Sequence, residues 1–155
     1  MIDLGSLTDT LLAHLRDVSQ QLVGDSLPPE GSGWLDGQPN TGVFVPYLTV
    51  AAAGAAPRFS TLDIVDTAIL SWTVDYQVRG HGGSRSQADW VAYQGRLAAH
   101  SMKDATFGDD IASYRVIATE WKSVGPTARN MAVDPPIWTV LDTVTLVCSR
   151  TRNTP

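Results

Sequence analysis

The segment "RGHGGSRS", residues 79–86, places Arg79, His81, Arg85 and two serines among three glycines. Such residue types can grip a phosphate, since glycines expose backbone N–H groups and guanidiniums supply charge. A histidine there can also move a proton near neutral pH. The spacing matches neither phosphate-loop pattern. G-x-x-x-x-G-K-[ST] needs a lysine that is missing, and Arg85 stands where G-x-G-x-x-G needs its third glycine. No G-x-S-x-G elbow offers a serine nucleophile. His14 and His100 fall on helical patterns without a metal-ligand spacing. Asp109 and Asp110 read as solvated turn charges, and Cys148 as a small hydrophobe in a strand. Nothing assembles a nucleophile, a base and an orienting group. The expectation is a protein without catalysis, metal or cofactor.

The 155-residue chain is the size of one domain, and it has no run of apolar residues long enough to span a membrane. Its opening, "MIDLGSLTDT", lacks the basic head and apolar run of a secretion signal, and its single cysteine cannot form an internal disulfide. These features lead us to expect that the protein works or is assembled in a cytoplasm. The formal net charge of −5 excludes a tight grip on nucleic acid. Arg79, Arg85 and Arg96 are interrupted by Asp75 and Asp89, so no basic block forms. A surface past which DNA slides is compatible with that balance.

The elements that must position these residues follow from periodicity. Leu7, Leu11, Leu15, Val18 and Leu22 recur at helical spacing after an S-x-x-D start at Ser6, predicting a helix over 6–23 ended by Gly24. Residues 25–42 are turn-rich, with Trp34 anchoring them. "VFVPYLTVAAA" predicts a strand whose Pro46 needs an edge or a bulge. The small-residue segment 51–61 reads as a mobile loop. Leu70, Trp72, Val74, Tyr76 and Val78 alternate with polar residues, so this strand belongs to a sheet covered on one side. Ser84 or Ser86 opens a second helix, near 86–103, with a stripe of small residues. Further strands are predicted near 111–122 and 138–150. The sum is an α+β fold: a roughly four-stranded, mostly antiparallel sheet with two helices packed on one face. It forms a single domain over 1–150, followed by a flexible tail over 151–155. Leu11, Leu15, Trp72, Val74, Tyr76, Val91, Val116, Val144 and Leu146 are the predicted core.

Three segments carry a family resemblance: "PYLTV", "SRSQADWVAYQGRLAAH" and the closing "DPPIWTVLDTVTLVCSR". In that order and setting, the chain resembles the tail terminator (tail completion) proteins of long-tailed, siphovirus-type bacteriophages, particularly those of actinobacteria. The likeness spans residues 1–150.

The resemblance implies a structural virion protein at the head-proximal end of the tail, assembled in the host cytoplasm. Such proteins form a homo-hexameric ring that caps the tail tube, ends its polymerisation and presents a surface to the head-tail connector or stopper. DNA passes through the lumen without specific binding, and no membrane is involved. Loops 51–61 and 80–86 then become the candidate contact regions, with Arg58, Phe59, Arg79, His81 and Arg85 as interface residues. Two other readings stand beside it. One is another head-tail connector or minor tail protein. The other is a small ligand-binding or enzymatic α+β domain with tryptophans lining a pocket.

Overall fold

The computed structural model describes residues 2–35, 42–58, 71–109, 112–132 and 136–151. Helix α1 (Leu4–Ser19) is capped by Asp3, whose carboxylate accepts the Ser6 N–H at 3.0 Å. The expected start at Ser6 and end at residue 23 are both corrected. Gln20 turns left-handed (φ 57°) and closes the helix on the Arg16 carbonyl. Leu7, Leu11, Leu12 and Leu15 are buried, whereas Val18 lies on the exposed side. Leu22 and Val23 leave the helix for strand β1 (Leu22–Asp25), where Arg16 donates two hydrogen bonds to the Val23 carbonyl.

A short ladder of β2 (Gly33–Trp34) with β3 (Phe44–Val45) precedes the long strands β4 (Tyr47–Arg58) and β5 (Ser71–Gly82). Helix α2 (Arg85–His100) follows, then β6 (Thr106–Gly108), β7 (Ser113–Ser123), β8 (Ala128–Asn130) and β9 (Ile137–Arg150). The main sheet has seven strands in the order β1-β4-β5-β9-β7-β6, with β8 also on β9. The four-stranded sheet expected from the sequence is therefore corrected, although the class is α+β. Strand β1 was hidden inside a leucine pattern that reads as helix, and it pairs parallel with β4. Strands β6 and β8 have three residues each, too few for alternation to be seen. The expected loop at 51–61 is corrected over residues 51–58, while residues 59–61 lie outside the described residues. Residues 51–58 continue β4 along β5, with a register shift between Ala52 and Gly54. Pro46 sits in the break between β3 and β4, where no ladder donor is needed.

Both helices share one core with the sheet. It joins Leu7, Leu11 and Leu15 of α1, Val91 and Ala98 of α2, and Val74, Tyr76, Val116, Val144 and Leu146 of the strands. Trp72 only packs at its margin. Helix α2 approaches β5 closely because glycine and alanine face each other. A Cβ on Gly82 would lie 2.4 Å from the Ala88 nitrogen, and one on Gly80 3.0 Å from the Ala92 Cβ. One ion pair is built into the same layer. Arg96 donates two 3.1 Å hydrogen bonds to Asp142, which is 2% exposed, and stacks 3.8 Å from the Trp121 ring centre.

Two substitutions test this packing. Gly82→Ala drives a methyl into helix backbone, and we expect a loss of about 1–3 kcal/mol in denaturant unfolding. Arg96→Met strands a buried carboxylate, with an expected cost of about 3–5 kcal/mol, and adding Asp142→Leu should recover most of it.

Candidate functional site

Register decides which side chains lie under the helices and which do not. Val74, Tyr76, Val78, Gly80 and Gly82 of β5 face α1 and α2, so Thr73, Asp75, Gln77, Arg79 and His81 face the opposite way. Through the ladders this second face continues into Thr139, Thr143 and Thr145 of β9, and Glu120 and Lys122 of β7. Among the described residues, no helix covers it. It is rich in hydroxyls, and some of them tie its charges down. Thr145 donates to the Asp75 carboxylate at 2.5 Å. Among the described residues of this face, Asp75 and Glu120 are matched by Arg79 and Lys122, so they show no acidic excess although the chain carries −5.

His81 organises one end of this face. It lies within β5, opposite Tyr47 of β4 and Thr139 of β9, not in a loop. The expected mobile loop over 80–86 is corrected to a two-residue turn, Gly83 and Ser84, ahead of α2. That turn is held by a variant of the capping box. Ser84 accepts the Gln87 N–H at 3.2 Å, and the Gln87 side chain reaches back to the Gly83 N–H at 2.8 Å. The Gln87 amide also donates to the Phe44 carbonyl.

The imidazole of His81 stacks on Tyr47, with ring centres 4.4 Å apart, extending an aromatic run through Phe44 to Trp34. Its Nε2 meets the Thr49 hydroxyl at 2.9 Å and its Nδ1 the Thr139 hydroxyl at 3.3 Å. Burial, and next the charge of Arg79, lower its pKa to about 4. A neutral ring with both nitrogens engaged ties three strands together, so its role is structural.

Arg79 projects from this end between two depressions. The larger, of about 350 Å³, is lined by Arg79, His81, Ala128, Arg129, Asn130 and Thr139. The smaller, of about 120 Å³, is lined by Ser26, Thr49, Ala51, Gln77 and Arg79. The structure thus brings Arg79 and His81 together. Arg85 begins α2 and lines neither depression. Arg58 ends β4 opposite Ser71, and Phe59 lies outside the described residues. Sequence reasoning missed Arg129 and Asn130, which sit in a stretch read as connection. The threonines of β9 were visible in the alternation of "TVLDTVTLV".

A third concavity lies on the helix side. It is a groove of about 330 Å³ between α2 and β7, lined by Tyr93, Arg96, Leu97, His100, Thr119 and Trp121 among others. Trp90, Tyr93 and Leu97 leave an exposed apolar stripe along α2. Elsewhere, His14 bonds to Ser101, and burial pushes the Cys148 thiol up to about 12, leaving it unreactive.

No family model matches the chain, and no curated protein matches it. A solved structure of another protein resembles it at 13% identity, covering 97% of this chain and 94% of that one, with a TM-score of 0.43. At that level the likeness carries no functional argument.

The His81 geometry fixes a pH dependence. The unfolded chain protonates this residue near pH 6.5, while the folded state keeps it neutral to about 4. Its contribution to stability is complete above the upper value and lost as pH falls toward the lower, by roughly 3 kcal/mol at most. In an NMR titration the His81 ring protons should stay unshifted until about pH 4. His81→Gln should flatten the decline in melting temperature across this window relative to wild type.

Proposed function

We propose that the chain is a non-enzymatic virion assembly protein, a tail terminator of a long-tailed bacteriophage, acting as a homo-hexameric ring at the head-proximal end of the tail tube. Its partners are further copies of itself, the tail tube protein and the head-tail connector, with DNA passing through the lumen. The sequence likeness in "SRSQADWVAYQGRLAAH" and "DTVTLVCSR" suggests this reading. The observation that carries it furthest is the hydroxyl-rich face that no described helix covers, without acidic excess among its described residues in an acidic protein. Such a face suits a wall along which a polyanion moves without being held. The sheet also ends differently on its two sides, in β1 and β4 at one edge and β6 and β7 at the other. A ring needs two unlike faces on each subunit to close head to tail.

The groove between α2 and β7 favours a second reading, a small ligand-binding domain, because apolar walls with a few polar groups are typical of ligand sites. A thermal-shift screen tests it, since a ligand that binds the folded chain raises its melting temperature. For the leading reading, deleting the gene from its phage should leave intact heads beside unattached tails of uncontrolled length. Tails of normal length joined to heads would remove the terminator assignment.

A further inference from the structure

We propose that copies of this chain join edge to edge, the open edge of β4 in one copy pairing antiparallel with the open edge of β7 in the next. Strand β1 covers the outer edge of β4 only from Tyr47 to Val50. Strand β6 covers β7 only from Ser113 to Arg115, and the residues just before β6 reach Val116. Beyond those points, among the described residues, no strand pairs with the outer side of residues 51–58 or 117–123. Open stretches of that length are templates for a further strand.

The two stretches match in height and in direction. Across the sheet Ala52, Tyr76, Val144 and Trp121 form one row, and Ala55, Val74, Leu146 and Thr119 another. Three antiparallel ladders separate β4 from β7, so within one chain they run in opposite directions. A rotation about an axis along the strands keeps those directions, and it sets β7 of one copy antiparallel to β4 of the next. No slide along the strands is needed. The two edges differ, so the contact is heterologous and passes from copy to copy. Pro57 has no N–H to give a partner strand. It lies in the row of Val116, whose N–H and carbonyl are already bonded to Ala105 and Asp104 at 2.9 and 2.8 Å. The missing donor therefore falls where the pairing ends.

Side chains on the helix face fit the same joint. Ala52 and Ala55 share the face of the buried Tyr76 and Val74, yet both are exposed. On the β7 side, Tyr93 and Leu97 of α2 line the groove above Thr119 and Trp121 and are about half exposed. An incoming strand that carries only methyl groups there leaves room for this apolar stripe to close over it. Surface exposed on both partners is then buried together. Closure of the chain of copies into a ring rests on the tail-terminator reading, whereas the edge pairing does not.

Thiol cross-linking of the full chain tests the joint. Ala55→Cys and Thr119→Cys place their thiols three strand spacings apart in one copy, roughly 14 Å, so a shorter linker joins them only between copies. The native Cys148 is buried and does not compete. In concentrated solution the double variant should give a ladder of covalent multimers. The two single variants mixed should stop at dimers, and either alone should stay monomeric. Adding Ala52→Glu sets a carboxylate against the stripe of the next copy and should cut the cross-linked yield about tenfold. The thermal melt of each variant checks that the fold persists. No multimers from the double variant, dimers from either single variant alone, or a yield unchanged by Ala52→Glu would each overturn the proposal. A ladder together with normal tails after gene deletion would keep the joint and remove the terminator role. Overlong tails without a ladder would do the reverse.

Discussion

The close approach of α2 to β5 sets the rest of the structure. Gly80 and Gly82 leave no side chain between the strand and Ala88 and Ala92, so helix backbone comes almost to strand backbone. Contact of that kind has one register, since even a methyl group fills the gap. Farther along the helix, Gly95 makes room for the Leu48 side chain, tying α2 to β4. Once the helix is seated there, the alternation of β5 has no freedom left. Its even-numbered residues go under the helices and its odd-numbered ones to the opposite face. The position of Arg79 and His81 on the uncovered face follows from the glycines between and beside them.

Those same glycines show why the sequence was read correctly in one respect and wrongly in another. "GHGG" carries the composition of a flexible turn, and composition alone gives no reason to keep it in a strand. What keeps Gly80 and Gly82 extended is tertiary, the need of α2 for a surface without side chains. The information was present at a distance, in the small-residue stripe of α2 at Ala88, Ala92 and Gly95, which needs an equally small partner. The S-x-x-Q spacing of Ser84 and Gln87 was a local signal for the start of the helix.

Other parts were legible or illegible for similar reasons. The alternation of β5 and β9 and the leucine stripe of α1 are long enough to identify strand and helix directly. The C-terminal end of α1 was not, because Leu22 and Val23 satisfy the helical period while packing as a strand beside β4. The alanines of β4 have low strand propensity, and pairing along β5 holds them extended. Of the charged residues, Arg79 stands out beside "GHGG". Asn130 is brought near it only by the pairing of β8 with β9, which no local pattern announces.

The buried and uncovered polar groups follow one rule with opposite results. On the helix side, Asp142 is out of water and is held by a bidentate arginine that in turn covers Trp121. There the charge is consumed internally, and breaking the pair leaves a carboxylate with no solvent to turn to. On the uncovered side, charges remain hydrated and hydroxyls occupy much of the surface between them. An anion arriving there gives up little protein–protein bonding and displaces mainly water. Contacts of that kind are individually weak and reversible. On the tail-ring proposal such a wall needs weak contacts, because tight ones would stop a polyanion.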